Sequence, residues 1–331
     1  MESLLAGSNR IRLLSNQENR KLIFILGITT RSGTNFLSDL ICLHPNCISA
    51  RPSEVNFLVH SNYLDNFVEK LGQAWQSHSW GRKFLSSMEE LNVDPSAALY
   101  RNLGHGLESF LWQMSLTQAR EEDIPEPKCL VCKKPSVKNL ENIFSLFPNA
   151  KIILIIRYGR SVVESQTKSF GRSFEGSVRS WNRAAQTISR SSLEKYSDSY
   201  LIVKYETLFE STKSEMEKVL NFIGLDASEY DFSKAENLPF RGSSQTKQKG
   251  KEISWQKQSR SEVEFSPLER WSSWSRYKHE RFNWIAGKNQ KKLGYKLKEY
   301  TLWNKGLWIA INLILDFAIR PTIVLYRRLS H

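Results

Sequence analysis

Residues 27–36, GITTRSGTNF, carry the groups that bind an oxyanion. A glycine-rich turn that opens a helix aims several backbone N–H groups at one place, and the helix dipole adds positive potential there. Ser32, Thr34 and Asn35 contribute side-chain donors, and Arg31 contributes a charge that can fork onto an oxyanion. The pattern is not an ATP-type phosphate loop, because five residues separate Gly27 from Gly33 and no lysine follows. A second segment, IILIIRYGRSVVES over 152–165, sets Arg157 at the end of an apolar run and Ser165 eight residues later. A guanidinium and a hydroxyl near the C-terminal end of a strand form a second oxyanion site. Two such sites suit a ligand phosphorylated at both ends of a ribose, whereas inorganic phosphate needs only one.

The elements that must position these groups are legible around them. Leu22–Leu26 is a short apolar run, read as a buried parallel strand, and Phe36, Leu37, Leu40, Ile41 and Leu43 recur at helical spacing before His44-Pro45. Residues 55–120 read as mostly helical, with Asp94-Pro95 opening a helix, and 120–127 (REEDIPEP) as a charged surface loop. Residues 129–132 are a second short strand, 137–147 are helical, and 151–157 (KIILIIR) are a third buried strand leading to a helix from about Ser161. Leu201–Val203 is a fourth strand, and the helix over 211–223 ends at Gly224. Strands alternating with helices predict an α/β fold: a central parallel β-sheet flanked by helices.

The chain has 331 residues, 40% hydrophobic and 24% charged, with 10 Trp, 11 Tyr and 17 Phe, enough apolar material to exclude disorder as its main state. Its net charge of +13 favours anionic partners, although solubility alone explains such a surplus equally well. Four cysteines are too few for a disulfide scaffold, and arginines at 10, 12 and 20 interrupt any signal-like run, so the expectation is a cytoplasmic, reducing compartment. The expected organisation is an arm over 1–20, a domain over 21–300 and an amphipathic helical tail over 301–331. In the tail, Asn312, Asp316 and Arg320 recur every four residues as a narrow polar stripe, with Asp316 and Arg320 able to pair. Charges and Pro321 argue against a span. Two readings stay open: an interfacial membrane helix, and a helix packed on this body or on a second subunit.

Several features together give a resemblance. TTRSGTNFLSDLICLHP (29–45), Cys132-Lys133-Lys134-Pro135, FPNAKIILIIRYGRSVVES (147–165), Val203-Lys204-Tyr205-Glu206 with the later Phe222-Ile223-Gly224-Leu225, and Arg241-Gly242-Ser243-Ser244 follow one another in the order found in the sulfotransferases that use 3′-phosphoadenylyl sulfate (PAPS). The match is closest to tyrosylprotein and bacterial members, and covers roughly 21–300. The resemblance implies the P-loop nucleoside-kinase-like fold of that family. It also implies transfer of a sulfonate from PAPS to an acceptor hydroxyl (carbohydrate, lipid, tyrosine or small alcohol), with adenosine 3′,5′-bisphosphate released and no metal required.

Carried over by residue, Arg31, Ser32, Gly33, Thr34 and Asn35 would hold the 5′-phosphosulfate, and Arg157 and Ser165 the 3′-phosphate. Tyr205 would pack near the adenine, and Arg241 with Ser243 or Ser244 would close over the nucleotide. Lys133 would contact the sulfonate or bridging oxygen, and Glu54, in Ala50-Arg51-Pro52-Ser53-Glu54, would be the general base. A carboxylate suits that role where burial raises its pKa toward working pH. Arg31 and Lys133 would offset charge developing on the sulfonate, as in phosphoryl transfer. Tyr158 stands where the family often carries Asp, and Asn35 where Thr is commoner.

Competing readings are a nucleotide kinase or other phosphoryl transferase, disfavoured by the missing Gly-Lys-Ser/Thr, and a nucleotide-binding protein without turnover. His60, His78 and His105 are the alternative bases. Cys129-x-x-Cys132 has metal spacing, with Cys42 and Cys47 as its only further cysteines. The Trp-rich basic stretch 251–284 is read as core and lid packing, since the pattern offers no nucleic-acid module. Glu164 is read as a solvated helix residue.

Overall fold

The computed structural model describes residues 20–121, 127–242, 256–258, 269, 271–298 and 305–319. Five parallel strands form the central sheet: β1 (Lys21–Gly27), β2 (Cys47–Glu54), β3 (Cys129–Lys134), β4 (Lys151–Ile156) and β5 (Tyr200–Lys204), in the order β2-β3-β1-β4-β5. From β1 the chain passes to the edge strand β2, returns to β3 beside β1, and then crosses to the other side of β1 with β4 and β5. The C-terminal ends of β1 and β4 therefore meet at a topological switch point, where open parallel sheets bind ligands. Register keeps those ends together: Gly27 lies opposite Ile155, and the Ile28 amide continues the ladder to the Ile155 carbonyl at 3.0 Å.

β1 is apolar at successive positions because both faces are covered. On one face Leu22, Phe24 and Leu26, with Leu130, Ile152 and Leu154, pack under α4 (Pro95–Glu121), α5 (Leu140–Leu146), α6 (Gly159–Phe170), α7 (Phe174–Ile188) and α11 (Arg276–Lys292). On the other, Ile23, Ile25, Ile153 and Val203 pack against α1 (Thr34–Ile41), α8 (Tyr205–Glu210), α9 (Thr212–Ile223) and α10 (Phe232–Glu236). Between β2 and α4 lie a 3-10 turn (Asn56–His60), α2 (Asn62–Ser77) and α3 (Ser79–Glu90). Asp94 caps α4 through bonds to the Ser96 and Ala97 amides (2.8 and 3.3 Å), and Gly224 ends α9 at φ 65°. A two-stranded ribbon, β6 (Phe240–Gly242) with β7 (Gln256–Gln258), stands apart from the main sheet.

One expectation is corrected, that for Glu164, and the structure adds a strand and partners for Asp316. β2 is a strand that periodicity did not show, because CISARPSE is an edge strand with polar residues on its exposed positions. Glu164 is buried rather than solvated: its carboxylate accepts the Trp274 indole N–H at 2.6 Å and pairs with Lys168 at 2.8 Å. The tail forms α12 (Lys305–Ile314), continued by a π turn (Leu315–Ile319), and Asp316 is bound by Arg281 and Arg179. Arg320, the expected partner of Asp316, lies outside the described residues. Among the described residues no helix is long and apolar enough to cross a membrane.

Candidate functional site

The turn after β1 is held by its own side chains. Ser32 donates to the Thr29 carbonyl (2.7 Å) and accepts from the Thr29 amide (3.2 Å), so its hydroxyl closes the loop instead of facing the cavity. Arg31 and Gly33 both take positive φ, 74° and 100°. At Gly33 a Cβ would come within 2.3 Å of the Tyr205 ring, so only glycine lets the loop lie against that side chain. The first bond of α1 runs from the Leu37 amide to the Gly33 carbonyl at 3.1 Å, and the amides of Thr34, Asn35 and Phe36 precede it. These are the donors that a helix N-terminus offers an anion.

The second unit lies directly beside the first. Arg157, just past β4, is buried, donates to the Arg31 carbonyl at 2.9 Å and lies 4.3 Å from the Tyr205 ring centroid. Arg31 in turn donates through Nε to the Ser165 hydroxyl at 2.9 Å, joining the first loop to α6. Burial, then repulsion from Arg157, pulls the Arg31 pKa down to about 10, despite an opposing contribution from Tyr205. Two guanidinium groups held this close favour an anion of more than one charge.

On the other flank, Lys133 of β3 is buried and donates to Asn35 Oδ1 at 2.7 Å. Glu54, at the C-terminal end of β2, stands opposite Lys133 in register and accepts from Asn56 Nδ2 at 3.0 Å. Arg31, Gly33, Thr34, Asn35, Glu54, Arg157 and Tyr205 line one cavity of about 210 Å³, which Phe36, Phe170 and Pro135 complete with apolar surface. Tyr205 is buried, with Phe36 edge-on at 6.2 Å, and supports Gly33 and Arg157. Ser165 reaches this group through Arg31.

Of the other candidates, Arg241 has a described backbone in β6, whereas Ser243 and Ser244 lie outside the described residues. His60 stacks on Tyr63, His78 bonds to Ser77 and to the Ala74 carbonyl, and His105 is exposed on α4; none is among the described residues lining the cavity. Cys129 lies opposite Cys47 in register and Cys132 is buried. Among the described residues no group of three or more His, Cys, Asp or Glu is placed to hold a metal.

Sequence reasoning missed two supporting residues. Gln166, fully buried in α6, donates to Thr29 Oγ1 (3.0 Å), the Thr30 carbonyl (2.9 Å) and Thr30 Oγ1 (3.2 Å). Glu206 accepts the Tyr158 amide (2.8 Å) and the Tyr295 hydroxyl (2.8 Å), fixing the backbone after Arg157. Gln166 follows Ser165 directly, but nothing in residue type distinguishes an inward amide from a surface one.

A family model described as the sulfotransferase family matches residues 23–229. Protein-tyrosine sulfotransferase 1 of Danio rerio is 25% identical over 232 residues, covering 67% of this chain and 58% of that protein. Protein-tyrosine sulfotransferase 2 of Gallus gallus is 24% identical over 237 residues, covering 69% and 57%. The chain therefore spans less than two thirds of the length of these curated relatives. The solved sulfotransferase domain from the curacin biosynthetic pathway aligns with a TM-score of 0.46 at 16% identity, over 84% of this chain and 99% of that one.

Proposed function

The chain belongs to the sulfotransferase family, and from that premise we propose that it transfers a sulfonate group from PAPS to an acceptor hydroxyl, releasing adenosine 3′,5′-bisphosphate. One observation carries the donor assignment: the first loop and the Arg157 segment are parts of a single cavity at the sheet's switch point, bridged by Arg31. A nucleotide charged at both its 5′ and 3′ ends matches two adjoining cationic cradles, and a singly phosphorylated one leaves a guanidinium uncompensated.

In this reading the amides of Gly33, Thr34 and Asn35, with Arg31, hold the 5′-phosphosulfate, and the Ser32 side chain shapes the loop. Arg157 and Ser165 hold the 3′-phosphate, and Tyr205 carries Arg157. Arg241, Ser243 and Ser244 are the proposed closing segment over the nucleotide. Glu54 accepts the acceptor's hydroxyl proton as the new oxygen–sulfur bond forms and the bond from sulfur to the phosphate oxygen breaks. Charge accumulates on that departing oxygen, and Arg31 and Lys133 stabilise it from positions already set by Ser165 and Asn35. Preorganised donors of this kind contribute about 10²–10³ each in rate.

Tyrosyl peptides are the first acceptors to assay, because the two curated relatives above carry that specificity in their names. The donor assignment is tested by calorimetric titration with adenosine 3′,5′-bisphosphate against AMP. The expected preference for the bisphosphate is at least about tenfold, or roughly 1.4 kcal/mol. A smaller preference removes the second cradle from the reading, and transfer of label from ATP but not from PAPS replaces the reaction.

A further inference from the structure

Helix α12 is docked inside out. Its polar stripe, which on an ordinary surface helix faces water, is bonded into the protein. Arg281 of α11, fully buried, donates to Asn312 Oδ1 (2.7 Å), Asp316 Oδ1 (2.6 Å) and Glu175 Oε1 (2.6 Å). Arg179 of α7 also pairs with Asp316, and the Trp284 indole donates to Asp316 Oδ2 at 2.9 Å. Burial opposes the Asp316 charge, but the hydrogen bonds from Arg281, Trp284 and Arg179 outweigh it and hold the pKa down to about 2. The rotation of the helix is thereby fixed. The opposite arc carries Leu307, Leu313, Ile314 and Phe317, between 41% and 77% exposed.

Two features of the chain say what covers that arc. The first is charge. Residues 271–331 contain twelve Lys and Arg against three Asp and Glu, which gives +9 of the chain's +13. One of those three acids is Asp316, already matched by two arginines. The second is the aromatic border. Along α11, Tyr277 and Trp284 meet the tail and Lys288 shares their helical face by spacing, and all three are exposed. Tyr277 lies 6.0 Å from the Trp308 ring. An apolar arc bordered by Tyr277 and Trp284, with the exposed Lys288 following them on α11 in a strongly basic stretch of sequence, has the layered chemistry of a membrane–water interface.

We propose that α12 with the adjoining edge of α11 is a peripheral docking surface for an anionic lipid bilayer. The apolar arc enters the boundary of headgroups and acyl chains, while the surrounding lysines and arginines meet the headgroups. The Arg281–Asp316 pair acts as the device that keeps this face outward. Such binding combines apolar burial with attraction to anionic lipid, so it falls with salt. The proposal goes beyond the donor-site reading and stands without it.

The test is co-sedimentation of the full chain with phosphatidylglycerol-containing vesicles and with pure phosphatidylcholine vesicles. The wild type is expected to bind the anionic vesicles at least about tenfold better than the neutral ones, with binding reduced at high salt. The double variant Ile314→Glu/Phe317→Glu, altered at two outward positions, is expected to lose that binding while unfolding at the wild-type temperature. As a second variant, Arg281→Met releases the polar stripe and is expected to weaken vesicle binding. Equal binding by the wild type and the double variant overturns the proposal, and so does equal binding to neutral vesicles. It is likewise overturned if the wild type ignores vesicles but sediments as a dimer that the double variant dissolves, since the arc then meets a second copy.

Discussion

Substituting Gly33→Ala tests whether the loop depends on the close approach of Tyr205. Two costs add at this position. A side chain at φ 100° is held in a left-handed conformation, which costs roughly 1–2 kcal/mol. The new Cβ would also sit 2.3 Å from Tyr205 Cδ2, where ordinary carbon contacts lie at about 3.5–4.0 Å. Tyr205 must then retreat by more than 1 Å, although it is buried against Phe36 and Phe209 and under the Arg157 guanidinium. Overpacking of that kind costs about 1–3 kcal/mol, so the total is about 2–5 kcal/mol. For a domain of this size that corresponds to a fall in Tm of roughly 4–10 °C. Gly171→Ala is the matched control, with φ 61° and open space where its Cβ would go, so only the backbone cost acts there. Thermal unfolding of both variants is the assay, with bisphosphate titration alongside. Gly33→Ala is expected to be the less stable of the two and to bind the bisphosphate more weakly, because Tyr205 carries Arg157. Equal Tm values and unchanged affinity would refute the idea that Tyr205 is seated against the loop.

Glu54→Gln is expected to lower kcat for sulfonate transfer by about 10²–10⁴ with bisphosphate affinity within twofold of wild type, measured by steady-state kinetics and calorimetry; a comparable rate sinks the base assignment. Gln166→Leu keeps the volume but removes the donor to Thr29 and Thr30, and is expected to weaken bisphosphate binding at least about tenfold by loosening the loop. His279 is buried beside Trp271 and Trp274, and burial, then the charges of Arg160 and Lys298, pulls its pKa from the usual 6.5 to about 4. Between those two values the unfolded chain takes up a proton that the native state does not. This group's contribution to stability is therefore complete above about pH 6.5 and is lost as pH falls toward 4. Urea unfolding across that window is expected to show a slope that His279→Gln flattens; an unchanged slope removes His279 as its source.

The sheet was readable wherever both of its faces are buried. LIFIL and KIILIIR carry their own signal because a strand covered on both sides needs apolar residues at every position. The edge strand β2 has no such requirement. Its polar residues Ser49, Arg51, Ser53 and Glu54 erase the pattern, and it forms because its neighbour β3 offers a ladder. The two oxyanion segments were legible because the chemistry is written in one stretch each, a glycine turn or an arginine at a strand's end. Gln166 and Glu206 were not, since their partners lie 136 and 48 residues away and only the folded topology brings them near.

The same limit explains the tail. Spacing placed Asn312 and Asp316 on one helical face, and that face is real, with both residues on the side bonded to Arg281. What spacing could not supply was the direction in which the face points. A narrow polar stripe on an apolar helix is ordinarily taken as the side toward water. Here a buried arginine on α11 needs oxygen ligands, and Glu175, Asn312 and Asp316 supply three. An arginine left buried without them would be an uncompensated interior charge, which costs several kcal/mol. The polar stripe is thus drawn inward by Arg281, and the apolar arc faces outward as a consequence. Amphipathic periodicity fixes which residues share a face, and the charges of the neighbouring helices decide which face is buried.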